Sequence, residues 1–343
     1  MSHAKRQIGL VLLLTFLGGE AGAITLSNVR ASSVSTQGAI IRWSTDEATC
    51  GRVNFGPSPV YGRTMNETEP TLDHYVFLYD LTPGTTYHFR VQVSDTVGVD
   101  ATFTTAAKIE DLWPVVSLSF DDGHISHVAT AFPLMRARDM RGAVNVITDR
   151  LANPGKANMT LDHLLFLQKQ GWAVDSHSRA HNRDTTLTDE DEIIGSITYL
   201  ETHGINKVRS YRVPGSNHNA KREALAARTY PLRWGNVKGA PPSPRYATLP
   251  LAPGMYAGVP LDFRNTSSVE ERVAKYKTAI DEMLSHRLHV HFIFHAIVEA
   301  TPEGYCYSPG EFEALLDYLR ARNIKVIPAG ELLQAKPSLD GDP

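Results

Sequence analysis

The sequence predicts two domains, a small all-β sandwich followed by a larger α/β domain of parallel, barrel-like design. Three observations carry this. The chain has 343 residues, and at roughly 100–200 residues per domain it accommodates about two. From residue 24 to about 106, short runs alternate apolar and polar residues between clusters of Gly, Pro, Asp and Asn, the pattern of a β-sandwich. From residue 114 the rhythm changes to short apolar β runs separated by stretches of helical periodicity, which argues for a parallel α/β architecture. The length of this second part, about 225 residues, fits a single (β/α) barrel or near-barrel. Apolar residues at 42% and charged residues at 21% suit a globular chain with a sizeable core. The net charge of −3, with no basic tail, gives no reason to expect nucleic acid as a partner.

The N-terminal residues 1–23 read as a targeting segment. Lys5 and Arg6 form a positive region, "IGLVLLLTFLGG" a short apolar one, and Ala21-Gly22-Ala23 a small-residue cleavage signal. The apolar run is short for a membrane span. No cysteine follows the cleavage site, so the exported chain is expected to begin near Ile24 without a stable membrane anchor. The alternative is an uncleaved anchor.

In the sandwich region (24–106), "GAIIRWSTD" places Ile41 and Trp43 on one face and Ile40 and Arg42 on the other. "GRVNFG" and "TYHFRVQVSD" alternate in the same way. In "LTPGTTYHFRV" (81–91) a Pro-Gly turn leads a tyrosine into a strand, which suits a corner where the hydroxyl bonds back to the loop. Through Trp43, Leu81, Pro83, Gly84 and Tyr87 this stretch resembles fibronectin type III domains, including related modules that precede the catalytic domains of some secreted hydrolases. His74 and His88 are isolated and read as strand or surface histidines. The linker 107–113, within "TTAAKIEDLWP", is short and lacks a Gly/Ser tract, so the two domains are expected to touch.

The second domain (114–336, before a tail at 337–343) opens on the strand "PVVSLSF", followed by "GAVNVIT". "LDHLLFLQKQG" reads as a helix capped by Thr160 and stopped at Gly171, and "WAVDS" as a strand. "TDEDEIIGSITYLETHG" has acidic residues in its first turn and Gly204 at its end, as a helix should. "VRSYRVP" and "LHVHFIFHAI" read as strands, "VEERVAKYKTAIDEMLSHR" and "GEFEALLDYLRARN" as helices, and "IKVIPAG" as the last strand.

Parallel barrels gather chemistry at the C-terminal ends of their strands. At those ends the sequence places Asp121-Asp122-Gly123, then His177 and His181 in "DSHSRAH", Arg212 in "YRVPG" and His295 in "FIFHAI". On a helical turn the i, i+4 spacing of the two histidines would put both imidazoles on one face, able to share a cation. A carboxylate from Asp122 completes a His₂-Asp set with an open position, the arrangement of a catalytic rather than a structural metal. The adjacent aspartates then divide their work: one binds metal, the other acts as base. A metal and a nearby cation such as Arg212 keep both ionised.

"SFDDG", "HSRAH", "RVPGSNHN" and "FIFHAI" occur in the order and spacing of the polysaccharide deacetylases, the NodB-like domains of carbohydrate esterase family 4, which residues 114–335 resemble. The resemblance implies a distorted (β/α)₇ barrel and metal-dependent removal of N-acetyl groups from an acetylated polysaccharide or oligosaccharide, typically built on N-acetylglucosamine. It implies Asp121 as general base, Asp122, His177 and His181 as ligands of a divalent metal (Zn²⁺ first, Co²⁺ or Ni²⁺ as alternatives), His295 as general acid and Arg212 as the holder of Asp121. Gly215, Trp234 and Asn219 fall where the family meets substrate; a backbone N–H near Gly215 is also expected to help the oxyanion. This chain departs from the family pattern at Gly215, where an aromatic is usual, and lacks a clear Asp-rich fourth motif. Ile293 stands where the family has leucine. Trp234 either stacks on a sugar or fills core, and Asn219 either touches substrate or braces its loop. No motif marks the aspartate that orients His295; Asp262 is the candidate.

His124 and His127 read as exposed loop histidines, His291 as a buried barrel residue, and Asp175 as a possible support for the metal ligands. His218 follows the arginine motif without an assigned role. Asn66, Asn158 and Asn265 head glycosylation sequons. Cys50 and Cys306 lie in different domains and either pair or stay free. Three functions follow from these residues: an exported carbohydrate N-deacetylase, an O-acetyl esterase or non-sugar amidase on the same centre, or a non-catalytic glycan-binding protein.

Overall fold

The structure is a computed structural model that describes residues 23–262, 268–299 and 305–333. Residues 1–22 of the expected targeting segment 1–23, the sequon at Asn265 and the tail 337–343 lie outside them.

The first domain comprises strands β1 (Leu26–Ser32), β2 (Ala39–Thr49), β3 (Gly51–Gly56), β4 (Arg63–Asn66), β5 (Thr71–Leu78), β6 (Thr86–Val93), β7 (Thr96–Val97) and β8 (Ala101–Thr104). β1-β2-β5 form one antiparallel sheet, and β4-β3-β6-β7 with β8 form the other. The period-two pattern explains the packing. Tyr87, Phe89, Val91 and Val93 alternate inward along β6 and meet Trp43, Val53 and Phe55 in one core. The Tyr87 hydroxyl accepts the Thr82 N–H at 3.0 Å, the corner expected from the Pro-Gly turn. His74 is a buried strand histidine, stacked on Trp43 at 4.5 Å, with ring nitrogens on Glu67 and Thr45. Its partners tie the β4–β5 connection to β2.

The second domain contains β9 (Val115–Phe120), α1 (Phe132–Arg136), β10 (Ala143–Val146), α2 (Asp149–Ala152), α3 (Leu161–Lys169), β11 (Ala173–Ser176), α4 (Asp189–Thr202), β12 (Ser210–His218), α5 (Ala220–Thr229), β13 (Leu232–Val237), β14 (Tyr246–Ala247), β15 (Gly254–Tyr256), β16 (Val259–Pro260), α6 (Val269–His286), β17 (His289–Phe294), β18 (Ala296–Ile297), β19 (Cys306–Tyr307), α7 (Pro309–Ala321) and β20 (Lys325–Val326). Thr160 caps α3 by accepting the His163 N–H, and Thr188 does the same for α4 through Asp191, each satisfying a donor that the helix start leaves open.

β17, β9, β10, β11, β12, β13 and β15 pair in parallel succession. β16, which follows β15 almost at once, returns to pair with β17, so the sheet is a nearly closed barrel. Gly258 permits a close approach at this seam: a Cβ there would sit 2.1 Å from the Ile293 Cδ1, so that side chain would have to shift. Two features depart from regular strand–helix alternation. No helix separates β13 from β15, and β9 is followed by a wide turn (His127–Ala131) that runs into the short α1. Helix α5 and strand β13 are not among the elements read from sequence.

The two domains touch at the N-terminal ends of the barrel strands, away from the rim that carries the polar motifs. Arg42 donates to Asp139 and to the Arg136 carbonyl, both at 2.7 Å, and the Tyr75 hydroxyl donates to the Gln170 carbonyl at 3.2 Å. The Phe77 ring lies under the fully buried guanidinium of Arg141, which pairs with Glu331. Both cysteines are free thiols. Among the described residues, no helix is long and apolar enough to cross a membrane.

Candidate active site

Asp121 and Asp122 directly follow β9, His177 follows β11, Arg212 lies in β12 and His295 follows β17, so parallel pairing alone brings them to one rim. Asp122, His177 and His181 offer ligand atoms that lie within 4.8 Å of one another. The Asp122 Oδ1 is 3.6 Å from His177 Nε2 and 3.7 Å from His181 Nε2.

The histidine spacing works for a reason other than the helical one. The segment after β11 is an irregular loop in which Ser178 and His181 adopt left-handed φ values of 67° and 58°. Those two residues turn the chain so that the rings meet edge to face, with centroids 4.8 Å apart. Asp122 also sits at φ 73°, a conformation that costs a non-glycine residue energy and is typical of strained functional positions. The Ser178 hydroxyl accepts the His181 N–H at 2.9 Å, and both carboxylate oxygens of buried Glu192 accept loop amides at Ala180 and Asn182.

These residues fit a cation. The His177 Nδ1 lies 2.8 Å from the Arg212 carbonyl, which can only accept, so the proton is on Nδ1 and Nε2 is a bare acceptor. Burial pushes His177 down to about 4, against the pull of the Asp121 and Asp122 charges, and burial lowers His181 as well, so both rings favour the neutral, ligating form. The Asp122 Oδ1 is buried without a hydrogen-bond partner; the nearest cation, Arg150, stands 3.8 Å away. Two such acceptors, the His177 Nε2 and the Asp122 Oδ1, converging with no proton between them are unfavourable until a cation joins them. Two imidazoles and a carboxylate suit Zn²⁺, Co²⁺ or Ni²⁺ better than the oxygen-seeking Mg²⁺ or Ca²⁺.

Beside this cluster, Asp121 is 1% exposed and doubly held. Its Oδ1 accepts from Asn145 Nδ2 and its Oδ2 from Arg212 Nε, both at 2.8 Å. Burial alone would raise its pKa. The Arg212 guanidinium, helped by His177 and His295, overrides that and holds the carboxyl well below the usual carboxylate range. Arg212 is itself fixed by the Trp234 carbonyl and the Ser216 hydroxyl, each at 2.9 Å.

His295 faces Asp121, with Nε2 at 4.0 Å from Oδ2. Its Nδ1 lies 3.1 Å from Asp262 Oδ1, and Asp262 also accepts the His295 backbone N–H. Burial would lower this imidazole, but the Asp262 hydrogen bond and charge, with Asp121 and Asp122 behind, raise it to about 9. At neutral pH the rim therefore holds an ionised carboxylate opposite a protonated imidazole, a pair whose environments drive their pKa values apart.

Several expected roles change. Trp234 is 2% exposed and stacked on His291 at 3.9 Å, so it fills core and offers only its carbonyl to the site. Asn219 caps α5 by accepting the Arg222 N–H, the structural one of its two readings. Gly215 adopts φ +65° with nothing within 4 Å of an added Cβ, so the position of the usual aromatic is open space. Asp175 accepts the Arg209 and Ser210 amides and braces β11 to β12 rather than supporting a metal ligand. His127 is fully buried and His124 half-buried on Ser126, so neither is an exposed loop histidine. His291 is buried on Ser119, as the strand alternation implies. Asn145 was missed; its signal is a single amide inside the apolar run "GAVNVIT".

Fold and site together define a nearly closed α/β barrel with a candidate His₂-Asp cation centre and a carboxylate–imidazole pair at one rim. Residues 109–232 match the polysaccharide deacetylase family model, a span that contains Asp121, Asp122, His177, His181 and Arg212 and ends before the strand leading to His295. No curated protein matches the chain. Among solved structures it is similar to the Streptococcus pyogenes deacetylase PplD, at 25% identity and TM-score 0.33 over 36% of this chain and 56% of that one. It is also similar to the Bacillus subtilis peptidoglycan deacetylase PdaC (14% identity, TM-score 0.42, 64% and 89%). A family 4 acetyl xylan esterase from Clostridium thermocellum, in complex with cobalt, gives 15% identity and TM-score 0.43 over 64% of this chain and 89% of that one.

Proposed function

We propose that this chain is an exported, metal-dependent hydrolase that removes N-acetyl groups from a carbohydrate polymer of N-acetylglucosamine type. The observation that carries the reading is the meeting, at one rim, of Asp121, His295 and the cluster Asp122–His177–His181. When bound in that cluster, a divalent cation supplies Lewis acidity, polarising the acetyl carbonyl and making water easier to deprotonate. Asp121 accepts the proton of the attacking water, and Arg212 and Asn145 hold its carboxylate in place. His295 gives its Nε2 proton to the departing nitrogen, with Asp262 stabilising the charged ring. Acetate and a free amine leave.

The open space at Gly215 is consistent with a broad, shallow approach for a polymer rather than a closed pocket for one sugar. The N-terminal domain is read as a fibronectin type III-like module, supported by the β1-β2-β5 sheet facing β4-β3-β6, the buried Trp43 and the Tyr87 corner. Export rests on the Lys5/Arg6, apolar-run and Ala21-Gly22-Ala23 pattern.

The test is acetate release from chito-oligosaccharides and from acetylated xylan, run in parallel with Zn²⁺-loaded and chelator-treated protein. The expected result is release from the N-acetylated substrate that disappears with chelation and returns with Zn²⁺. Release from xylan alone would reassign the centre to ester hydrolysis. No release from either substrate by loaded protein would overturn the hydrolase reading.

A further inference from the structure

The loop that carries the two aspartates does not end its work at Gly123. It runs on to Ser126 and His127, which are 3% and 0% exposed, and both reach across to the end of β17. The His127 Nε2 lies 2.8 Å from the His295 carbonyl, and the Ser126 hydroxyl accepts the Ile297 N–H at 2.9 Å. With the Asp121 N–H donating to the Phe294 carbonyl at 2.8 Å, the 121–127 segment grips the 294–297 segment at three points. Asp262 takes the remaining His295 groups, its backbone N–H and Nδ1. Every hydrogen-bonding group of His295 except Nε2 is thus held from outside.

A carbonyl only accepts, so His127 carries its proton on Nε2 and leaves Nδ1 bare. That Nδ1 is buried and has no hydrogen-bond partner. The ring is tilted against Phe120 with centroids 5.4 Å apart, and the His124 ring lies 6.2 Å away on the same loop. The histidine leaves its own Nδ1 unpaired, a cost when buried, whereas a phenylalanine would strand the His295 carbonyl instead. What a histidine supplies here, and a phenylalanine would not, is the bond to the His295 carbonyl.

We propose that His127 is a positioning residue for the acid histidine: by holding the His295 carbonyl it fixes the peptide plane that aims the His295 ring at Asp121. Pinning the peptides on both sides of a residue fixes its Cα–Cβ direction, and Asp262 on one side and His127 on the other do this for His295. Ordered proton transfer tolerates little misplacement, of the order of 1 Å for about 100-fold in rate. This inference rests on the deacetylase reading for its kinetic consequence, but not for its structural one.

Two variants test it on the full-length, Zn²⁺-loaded chain. His127→Phe keeps the ring volume and removes the donor; His127→Gln restores an N–H near the Nε2 position. The expected result for His127→Phe is a kcat lower by about 10- to 100-fold with KM and bound metal unchanged. His127→Gln should recover most of that kcat. Independently of activity, the His295 ring resonances in NMR spectra should be single in wild type and His127→Gln and broadened or doubled in His127→Phe. The proposal is overturned if His127→Phe leaves the His295 resonances unchanged, if its kcat equals wild type, or if Gln and Phe behave alike. An inactive wild type whose His295 resonances still respond to His127→Phe would sink the deacetylase reading and leave the positioning contact standing.

Discussion

Asp121→Asn is expected to lower kcat for acetate release by about 10²- to 10⁴-fold, the range for losing a positioned general base. The substitution keeps the shape of the side chain; its one carbonyl oxygen can still accept from Arg212, and its new NH2 can donate to Asn145 once that amide turns its Oδ1 inward, but an amide cannot take a proton from water. Arg212 retains the Trp234 carbonyl and Ser216 hydroxyl, so the variant should still fold. It loses a buried counter-ion and so should also be less stable, since removing one partner of a buried pair strands the other. The check is kcat alongside metal content and thermal midpoint. A folded, metal-loaded Asp121→Asn with wild-type kcat would remove Asp121 from the chemistry, and the adjacency of the two aspartates would then have no catalytic meaning.

The second large effect concerns acid. Burial pushes His127 and His289 down to about 3, whereas an unfolded histidine titrates near 6.5. The sign follows from which state binds protons. Above about pH 6.5 both states are neutral and these residues have no effect. As pH falls from 6.5 toward 3, only the unfolded chain takes up the protons, so stability falls by about 1.4 kcal/mol per pH unit for each residue. By pH 5 the two together remove about 4 kcal/mol, a large part of the 5–15 kcal/mol that holds an ordinary domain. His291, also driven well below its ordinary value by burial, acts in the same direction. His295 has the opposite sign: its contribution is complete below about 6.5 and is lost as pH rises through about 9. Urea unfolding of the metal-free chain at pH 7.5 and pH 5.0 is the measurement. A free energy lower by about 4 kcal/mol or more at pH 5.0 is expected, with a shallower fall for His289→Gln. Equal stability at the two pH values would mean that these histidines are not neutral in the fold.

Much of this site was legible because its residues sit at strand ends, where parallel pairing decides their neighbours. Asp121, Asp122, His177, His181, Arg212 and His295 needed only the right strand order to meet. What was not legible depended on local backbone or distant contacts. The His177–His181 pair was read with helical geometry, but left-handed Ser178 and His181 create the approach, and nothing in "HSRAH" announces that. Trp234 looked available for a sugar because its neighbourhood was unknown; His291 turned out to cover it. His127 looked like a loop residue because its partner, the His295 carbonyl, is 168 positions away. Asp262 had no motif around it and could be named only as a candidate; its hydrogen bonds to the His295 N–H and Nδ1 supply the connection. In the fold, the split strand β15–β16 was invisible, since runs of two or three residues carry no periodicity, yet it nearly closes the barrel.

The central claim is that Asp122, His177 and His181 together hold a divalent cation on which hydrolysis depends. Metal analysis after equilibrium dialysis against buffered Zn²⁺, on wild type, Asp121→Asn and Asp122→Asn, tests it most directly. The account predicts a single ion bound by wild type and by Asp121→Asn. For Asp122→Asn it predicts affinity weakened by more than the roughly 10- to 100-fold that losing a supporting hydrogen bond costs a metal site. Wild type and Asp122→Asn binding Zn²⁺ equally well, or neither binding it, would contradict the account.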